Sequence, residues 1–306
     1  MTPPNNLKNQ IIEKSKELGF NLISFSNITV DENTQENYLT WLKNNNQASM
    51  HYMEKNIDLR FDLTKLFENY KSMIILAINY YQAKQENNLG KNISIYSYGR
   101  DYHKTIKTKI KKLTSFLNEN GINSRGFTDS APILEKYFAE KSGIGWQGKN
   151  SLIINKKLGS YIFLAEILTD FDFGQENVTT SHCGKCRKCI DACPTNAIIE
   201  DKIIDSNKCI SYLTIEHSGE ISLDLENNMK DLAFGCDICQ EVCPWNKKLE
   251  LTKEKDFDFR YTDLKIEDAL NFNELQFNKR FQGSPIRRAG FEHFIKQLKR
   301  VQINLI

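Results

Sequence analysis

Residues 183–194 read CGKCRKCIDACP, and the spacing of their cysteines decides the fold of the cysteine-rich part of the chain. Three cysteines in a C-x2-C-x2-C run wrap one cubane iron–sulfur cluster, whereas the fourth, followed here by Pro194, ligates a neighbouring cluster. A shortened second run, CDICQEVCP, occupies residues 236–244, and Cys209 lies between the two runs. The pattern therefore predicts two [4Fe–4S] clusters bound by one segment.

The exchange of one cysteine between the runs assigns all eight cysteines of the chain to a cluster. The first cluster takes Cys183, Cys186, Cys189 and Cys243, and the second takes Cys193, Cys209, Cys236 and Cys239. Structural zinc is the main alternative, but four cysteines within eleven residues do not suit one tetrahedral ion. We therefore favour two cubanes over zinc.

The composition is that of an ordinary globular protein. The chain has 306 residues, 40% of them hydrophobic and 26% charged, with a net charge of +2. It is long enough for two domains, and its total charge indicates no particular partner. No run approaches the ~18 apolar residues of a membrane span, and the N-terminus lacks the apolar core of a signal peptide. We expect a cytoplasmic protein that binds no membrane, in a compartment where reduced thiols disfavour disulfides.

The chain is predicted to fold as an α/β (α+β) domain over 1–170, a bacterial ferredoxin-like domain over 171–250, and a short, basic, helical segment over 251–306. The first part alternates helical and strand patterns, which indicates a layered domain. The run SMIILAINYY at 72–81 is almost wholly apolar and predicts a fully buried strand. The other predicted elements are helices over 7–19, 101–120 and 132–142, and strands over 21–30, 126–128 and, as a pair, within 151–169.

Four further segments concentrate charged, aromatic and glycine residues. They are YSYGRDYH at 96–103, DSAPILE at 129–135, GIGWQGKNS at 143–151 and CISYLTIE at 209–216. Such groupings indicate a site, although two of them have a simpler explanation. Asp129 or Ser130 caps the following helix if the turn has no other role, and the glycines of 143–151 form a turn between a helix and a strand.

Together these segments resemble the epoxyqueuosine reductase family. The matching signatures are YGRDYH (98–103), DSAPILEKYFAEKSGIGWQGKNSL (129–152), CGKCRKCIDACPTNAI (183–198), CISYLTIEH (209–217) and GCDICQEVCPWN (235–246). The resemblance implies a cobalamin-binding domain joined to a ferredoxin-like domain, with base-off cobalamin between them. It implies reduction of epoxyqueuosine, at the wobble position of a tRNA anticodon, to queuosine. That reaction consumes two electrons and two protons and releases water. A monomer supplied by an external electron donor such as flavodoxin or ferredoxin is expected.

The resemblance also implies roles for single residues. Asp129 matches the family's proton donor, which needs burial or a neighbouring carboxylate to hold a proton near neutral pH, and Glu135 is a candidate for that neighbour. Arg60 has a simpler explanation as a salt-bridged surface residue, and His103 as a structural hydrogen-bonding residue. The expected cobalamin contacts are Arg60, Tyr98, Asp101, His103, Asp129, Gly148, Lys149, Asn150, Ser151, Ser211, Tyr212 and Asp237.

Basic residues cluster near the C-terminus. Between 279 and 300, seven basic residues stand against Glu292, a local charge of +6: Lys279, Arg280, Arg287, Arg288, Lys296, Lys299 and Arg300. We interpret this basic cluster as a contact for tRNA phosphates, with a solvated helix face as the alternative. The lysines of 101–120 are assigned to a solvated face. The helical repeats at the C-terminus of many family members are not expected, because the chain ends at Ile306.

Two other functions fit parts of the sequence. One is a different corrinoid iron–sulfur reductase with a small-molecule substrate, although such enzymes usually carry export signals. The other is a non-catalytic ferredoxin-type carrier, which has no need for the large domain that precedes the cysteines. Binding of a corrin would exclude the electron carrier and would agree with either reductase.

Overall fold

The computed structural model of the chain describes residues 5–66, 69–86 and 88–303. Residues 1–4 of the predicted first domain and 304–306 of the predicted C-terminal segment lie outside the described residues. The helices are α1 (Asn5–Glu17), α2 (Glu32–Lys43), α3 (Ile57–Phe61), α4 (Tyr102–Glu119), α5 (Glu135–Lys141), α6 (Lys188–Asp191), α7 (Ile210–Ile215), α8 (Leu223–Asn228), α9 (Ile238–Glu241), α10 (Ile266–Leu270), α11 (Glu274–Arg280) and α12 (Phe291–Ile303). The strands are β1 (Leu22–Asn27), β2 (Ser72–Asn79), β3 (Ser124–Phe127), β4 (Trp146–Gln147), β5 (Ile153–Ile154), β6 (Ile162–Thr169), β7 (Ile198–Glu200) and β8 (Ile203–Ile204).

A four-stranded sheet with the order β1-β2-β6-β3 forms the centre of the fold. Every neighbouring pair in it is antiparallel. Of the two terms in the predicted fold class, α+β therefore describes this part of the chain, because α/β folds are built on parallel strands. Alternation of helix and strand along the sequence does not distinguish the two, since the strand order depends on contacts between distant segments.

Strand β2 is buried along its whole length, as the run SMIILAINYY predicts. Successive side chains of a strand point to opposite faces. Ile74, Leu76 and Ile78 face one core cluster, whereas Met73 and Ile75 face the other. Both faces of the sheet are therefore covered, which explains why the strand has no polar alternation.

The two faces carry different elements. On one face, α1, α4 and the C-terminal helices share a single core with the sheet; Ile106 of α4 and Phe294 of α12 both belong to it. On the other face, α5 packs through Phe138 and Ala139. The predicted C-terminal segment is thus helical in α10–α12, and its apolar side chains pack in the core beneath the sheet.

The helix boundaries agree with the sequence at one site segment and differ at another. Helix α4 spans 102–119, close to the predicted 101–120, and Asp101 caps it by accepting a hydrogen bond from the His103 amide at 3.1 Å. The helix predicted from Pro132 begins only at Glu135, with Leu134 as its N-cap. Residues 129–134 instead form an irregular turn, in which Asp129 has a φ of +49°, outside the right-handed helical region.

The cysteine-rich segment consists of short elements between ligand loops. Helices α6 and α9 lie within the two cysteine runs and contact each other, and β7 and β8 form a small hairpin. Hydrogen bonds join this segment to the sheet: Ser160 Oγ donates to Gln240 Oε1 at 2.9 Å, and Asn246 Nδ2 donates to Ser160 Oγ at 2.9 Å. In the described ranges of the chain, no helix has the length and apolar character needed to cross a membrane.

Candidate functional site

All eight cysteines are free thiols, and they form two groups of neighbours. Cys183, Cys186, Cys189 and Cys243 line one cavity of about 220 Å³. In the other group, burial raises the pKa of Cys236, and the nearby Cys209 and Cys193 raise it further. Burial likewise raises the pKa of Cys239, with additional effects from Cys236 and Cys209. The two groups are the two ligand sets predicted by the spacing, and four thiols each suit a [4Fe–4S] cluster. Iron binding itself stays a prediction.

Trp146 connects the sheet domain to the first cysteine group. Its side chain is fully buried, and its indole Nε1 donates a hydrogen bond to Sγ of Cys183 at 3.4 Å. The rings of His182 and Trp245 both pack edge-on against it, with centroids 5.0 Å away. The indole therefore fixes the position of one sulfur while shielding it from water.

The predicted loop 148–151 connects β4 and β5 as a tight hairpin. Gly148 donates its backbone N–H to Leu152 O at 2.7 Å. A Cβ at Gly148 would lie 2.5 Å from Cδ1 of Ile154, so a larger residue would need that side chain to shift. The predicted glycine turn between a helix and a strand is present at 143–145, between α5 and β4, where Gly143 has a φ of +82°. Residues 148–151 form a further turn, between two strands.

The side chains of this loop reach toward both cysteine groups. Lys149 and Asn150 line the cavity of the first group, and Lys149 pairs with Asp201 at 3.0 Å. Asn150 Nδ2 also donates to Cys239 O, in the second group, at 3.4 Å. Ser151 Oγ is bonded by the Gln147 side chain at 3.0 Å. The loop thus lies between the two groups, and its contact with cobalamin stays a prediction.

Asp129 is held by residues of α4 and α5. Its backbone N–H donates to Glu135 Oε1 at 2.7 Å, and its carboxylate accepts a hydrogen bond from the hydroxyl of Tyr102. Nε2 of His103 lies 3.5 Å from the same carboxylate oxygen. The capping alternative is wrong, because the N-cap of α5 is Leu134 and no side chain of Asp129 or Ser130 accepts a hydrogen bond from the helix's first turn. Asp129 instead presents an accessible carboxyl group on a fixed turn.

A chain of polar contacts supports His103, the neighbour of Asp129, through Asp101 and Arg288. His103 Nδ1 lies 3.0 Å from Asp101 Oδ1, and the Arg288 guanidinium bonds the same carboxylate. Burial opposes ionisation of Asp101, but hydrogen bonds from His103 and Arg288 outweigh it and hold its pKa below the ordinary range. The structure therefore brings Asp101, His103 and Asp129 together, as predicted, and adds an arginine from the basic cluster.

Lys136 lies between the Asp129 turn and the second cysteine group, and we call the region around its ammonium the cleft. Lys136 is solvent-accessible, yet desolvation lowers its pKa, against the opposing charges of Asp129 and Glu135. Cys209 and Cys239 lie within electrostatic range of the same ammonium. The Lys136 ammonium thus has carboxylates on one side and thiols on the other. A cofactor that takes electrons from the second group and meets the Asp129 turn would lie in this region.

Arg60 approaches the same cleft. It is buried rather than in a surface salt bridge, so that alternative is wrong: Nη2 donates to Tyr52 O at 3.0 Å, and the guanidinium lies over the ring of Tyr38. Burial raises the pKa of the Tyr52 hydroxyl to about 12, with further contributions from Glu216 and Asp129. Arg60 and Asp129 therefore both lie close to Tyr52.

Ser211 and Tyr212 follow Cys209 in α7, as the sequence places them. Ser211 is half-buried, whereas Tyr212 is buried and its hydroxyl hydrogen-bonds that of Ser49, whose Oγ lies 2.5 Å away. The Ser49 backbone N–H also donates to that hydroxyl at 3.0 Å. Tyr212 thus ties the cysteine-rich segment to the segment after α2, and its contact with cobalamin stays a prediction.

Tyr98 and Asp237 make none of the hydrogen bonds described above around Asp129. Tyr98 is fully buried, and its hydroxyl donates to Gly90 O at 2.9 Å. Asp237 is buried as well and accepts hydrogen bonds from Ser94 Oγ at 2.6 Å and from Ile95 N at 2.7 Å. The side-chain polar atoms of both residues are thus hydrogen-bonded to other parts of the protein. Their predicted contact with cobalamin stays a prediction.

Glu135 and Glu166 form an acidic pair beside Asp129. Burial raises the pKa of Glu135, and the charge of Asp129 raises it further. Burial also raises the pKa of Glu166, with the charge of Glu135 as the second cause. Glu166 is the one acid in the apolar strand YIFLAEILT at 161–169. That lone charge was the signal that sequence reasoning missed.

Two further residues of the site were also missed. Tyr102 belongs to the quoted motif YGRDYH, but nothing in the sequence singled it out from its neighbours. Arg288 was counted only as one charge of the basic cluster, because its partner Asp101 is 187 positions away. Neither pairing has a local sequence signal.

Comparisons with known proteins agree with this geometry. The model for the 4Fe-4S double cluster binding domain matches residues 182–246, and the model "Epoxyqueuosine reductase QueG, DUF1730" matches residues 60–130. The epoxyqueuosine reductase of Streptococcus thermophilus has a TM-score of 0.90 at 25% identity, covering 98% of this chain and 82% of that chain. An epoxyqueuosine reductase solved with a tRNA-Tyr epoxyqueuosine-modified tRNA stem loop shares the fold, with a TM-score of 0.89 at 24% identity, covering 97% of this chain and 80% of that one.

Sequence similarity extends over almost the whole chain. The epoxyqueuosine reductase of Cellulophaga algicola is 41% identical over 290 residues, which cover 92% of this chain and 94% of the relative. The similarity thus includes both the segment of the Asp129 cluster and the eight cysteines. This chain belongs to the epoxyqueuosine reductase family.

Proposed function

We propose that the chain reduces the epoxide of epoxyqueuosine in tRNA to the alkene of queuosine. The observation that carries the proposal is the position of Asp129. Its carboxyl group is held by Tyr102 at the edge of a cleft whose other side carries the second cysteine group. A proton donor and an electron source thus lie on two sides of Lys136, as a reductive opening of an epoxide between them requires.

The two cysteine groups supply the electron path in this proposal. Each holds one [4Fe–4S] cluster, and the match to the double-cluster model supports this assignment. The first group lies beside exposed basic side chains, Lys185, Arg187 and Lys188. A basic surface favours docking of an acidic donor such as flavodoxin or ferredoxin. Electrons then pass from the first cluster to the second and on to the cleft.

We place cobalamin in the cleft, between Asp129 and Cys209. When bound, it supplies a low-valent cobalt centre that transfers the cluster electrons to the substrate. The residues that would hold it are those around the cleft: Arg60, Ser211, Tyr212 and the loop 148–151. Their placement on both walls of the cleft supports the assignment, and Lys136 offers an ammonium to a polar group of the cofactor.

Residues of the chain hold the proton and deliver it to the substrate. Asp129 gives its proton to the epoxide oxygen as the carbon–oxygen bond breaks. Tyr102 and His103 orient its carboxyl group, and Asp101 with Arg288 fixes His103 from behind.

One experiment tests the whole proposal. The protein is reconstituted without oxygen with iron, sulfide and cobalamin, then incubated with a reductant and epoxyqueuosine-containing tRNA, and the digested nucleosides are analysed by mass spectrometry. We expect the loss of one oxygen mass, dependent on cobalamin. An unchanged nucleoside with a corrin bound would point to a small-molecule reductase. Failure to bind any corrin would leave only an electron carrier.

A further inference from the structure

The proposed reaction needs more protons than Asp129 holds. Conversion of an epoxide to an alkene takes up two electrons and two protons and releases the oxygen as water. The oxygen accepts one proton when the first carbon–oxygen bond breaks and another when the second breaks. Asp129 carries a single proton, so it must be reloaded within one turnover. This inference rests on the proposed function and concerns where the second proton comes from.

Glu166 is a carboxyl group in an apolar environment. It lies on β6, opposite Ile75 of β2 and Phe127 of β3, and is 0% exposed. Both cross-strand neighbours belong to the core cluster beneath α5. Neither of its oxygens makes a hydrogen bond of ordinary geometry within the described part of the chain. An ionised carboxylate is strongly disfavoured in such surroundings, so Glu166 holds a proton.

Glu135 connects this buried acid to the cleft. It is the first residue of α5, and its carboxyl group faces that of Glu166. Its Oε1 accepts the backbone N–H of Asp129 at 2.7 Å, and the two side-chain carboxyls are also close enough to interact. Three carboxyl groups therefore run in sequence from the core to the cleft: Glu166, Glu135 and Asp129.

We propose that Glu135 and Glu166 form a proton reserve that reloads Asp129 between the two bond-breaking steps. Both carboxyls of the pair start protonated. After Asp129 has given its proton to the epoxide oxygen, Glu135 passes a proton to Asp129. The pair then keeps its remaining proton between its two carboxyls, which is the favoured singly charged form of adjacent acids. When the product leaves, two protons from solvent restore the starting state, one on Asp129 and one on the pair.

The charged and titratable groups around the pair suit this role. Lys136 of α5 lies within electrostatic range of Glu135, so its ammonium stabilises the anion left after proton transfer. From α4, Tyr102 and His103 contact Asp129 and not the pair. The neighbours of Glu166 on β2 and β3 are apolar. Protons from the pair therefore reach the cleft through Asp129.

Infrared spectroscopy tests the protonation of the pair without substrate or cobalamin. We expect the carbonyl band of a protonated carboxylic acid at neutral pH in the wild-type protein. Glu166→Gln keeps the shape of the side chain and should remove the Glu166 component of that band, whereas Glu119→Gln, at an exposed acid near the end of α4, should leave the band unchanged. Identical spectra for the wild type and the Glu166→Gln protein would overturn the proposal. Glu135→Gln provides a second test if the first variant fails to fold.

Single-turnover rates test the transfer. We expect Glu166→Gln to slow product formation at least tenfold, to make the rate fall as pH rises through neutrality, and to respond to a small buffer acid such as imidazolium. A purely structural role would give no rescue by buffer. Equal rates and equal pH profiles for the wild type and the variant would overturn the reserve. A wild-type protein that fails to reduce epoxyqueuosine at all would count against the proposed function instead, and the infrared result would still decide the protonation.

Discussion

The indole Nε1 of Trp146 donates a hydrogen bond to Sγ of Cys183 at 3.4 Å, so a residue of the sheet domain touches a sulfur of the first cysteine group. Hydrogen bonds to ligand sulfurs stabilise the reduced cluster, which carries the greater negative charge, and so raise its reduction potential. Because Trp146 is fully buried, water cannot replace this bond when the indole N–H is removed.

Trp146→Phe should therefore lower the reduction potential of the first cluster. Loss of about 1 kcal/mol of hydrogen bonding corresponds to roughly 40 mV for one electron. A redox titration followed by electron paramagnetic resonance measures the shift. Trp245→Phe is the matched control, since Trp245 packs on the same indole but makes no hydrogen bond to sulfur among the described residues. Equal shifts in both variants would contradict the role of the N–H group.

Asp129→Asn should abolish turnover while leaving the clusters and the fold intact. The amide keeps the shape of the side chain and still accepts from Tyr102, but it has no proton to give. Loss of a general acid costs about 10²- to 10⁴-fold in rate. Asp129→Ala should be at least as slow. Iron content and corrin binding, measured beside turnover, separate a defect in chemistry from a failure to bind cofactor, and normal turnover in either variant would rule out Asp129 as the proton donor.

The sequence was sufficient wherever the determining pattern is local. The cysteine spacing predicts the two groups of neighbours, the apolar run at 72–81 predicts β2, and the helical pattern at 101–120 predicts α4. The segment at 129–135 also identified the turn that carries Asp129. In each case neighbours within a few positions carry the signal.

The sequence was insufficient where the contact joins distant segments. The antiparallel order β1-β2-β6-β3 depends on long-range pairing, which no local pattern contains. Arg288 reaches Asp101 across 187 positions, and Glu166 meets Glu135 only because β6 passes beneath α5. The Asp129 turn misled the capping argument, since a positive φ at a non-glycine residue has no clear sequence signal.

Arg288→Gln should lower both stability and activity. The substitution leaves the half-buried carboxylate of Asp101 without its strongest cationic partner, and His103 loses its support. We expect a loss of about 1–3 kcal/mol in the free energy of unfolding at neutral pH. Arg287→Gln is the matched control, because it removes the same charge from an adjacent exposed residue. Chemical unfolding of the two proteins, compared with wild type, measures the difference, and equal losses would contradict the specific role of the Asp101 contact.

Glu166→Gln should stabilise the fold at neutral pH. The folded protein holds the Glu166 proton at a pH where the unfolded chain, with an ordinary glutamate pKa of about 4.3, has lost it. Stability therefore falls as pH rises above that value, and a neutral amide removes the fall. We expect a gain of about 1–3 kcal/mol at neutral pH that vanishes toward pH of about 4. Unfolding free energies across this range measure it, and a gain that persists unchanged in acid would contradict the cause.

The basic cluster near the C-terminus divides into structural and available charges. Arg300 is buried and donates to Lys230 O at 3.0 Å, Arg280 pairs with Asp263, and Arg288 pairs with Asp101. Apart from the paired Arg288, the exposed members are Lys279, Arg287, Lys296 and Lys299. Lys296 donates to Gly219 O at 3.1 Å, and Arg287 donates to Asn278 Oδ1 at 3.0 Å. Lys279 and Lys299 are therefore the members we expect to meet a phosphate without disrupting the fold.

Neutralising Lys279 and Lys299 to Gln should weaken binding of the tRNA and leave stability unchanged. Removing one lysine–phosphate interaction reduces the dependence of log Kd on log salt by about one unit, because fewer counterions are released on binding. Titrations of tRNA at several salt concentrations measure both effects. The matched control is the pair Lys111→Gln and Lys112→Gln on the exposed face of α4, which removes the same total charge at a surface assigned to solvent. If the control pair flattens the salt dependence as much as the C-terminal pair, the effect reflects net charge alone, and the basic cluster does not contact the tRNA.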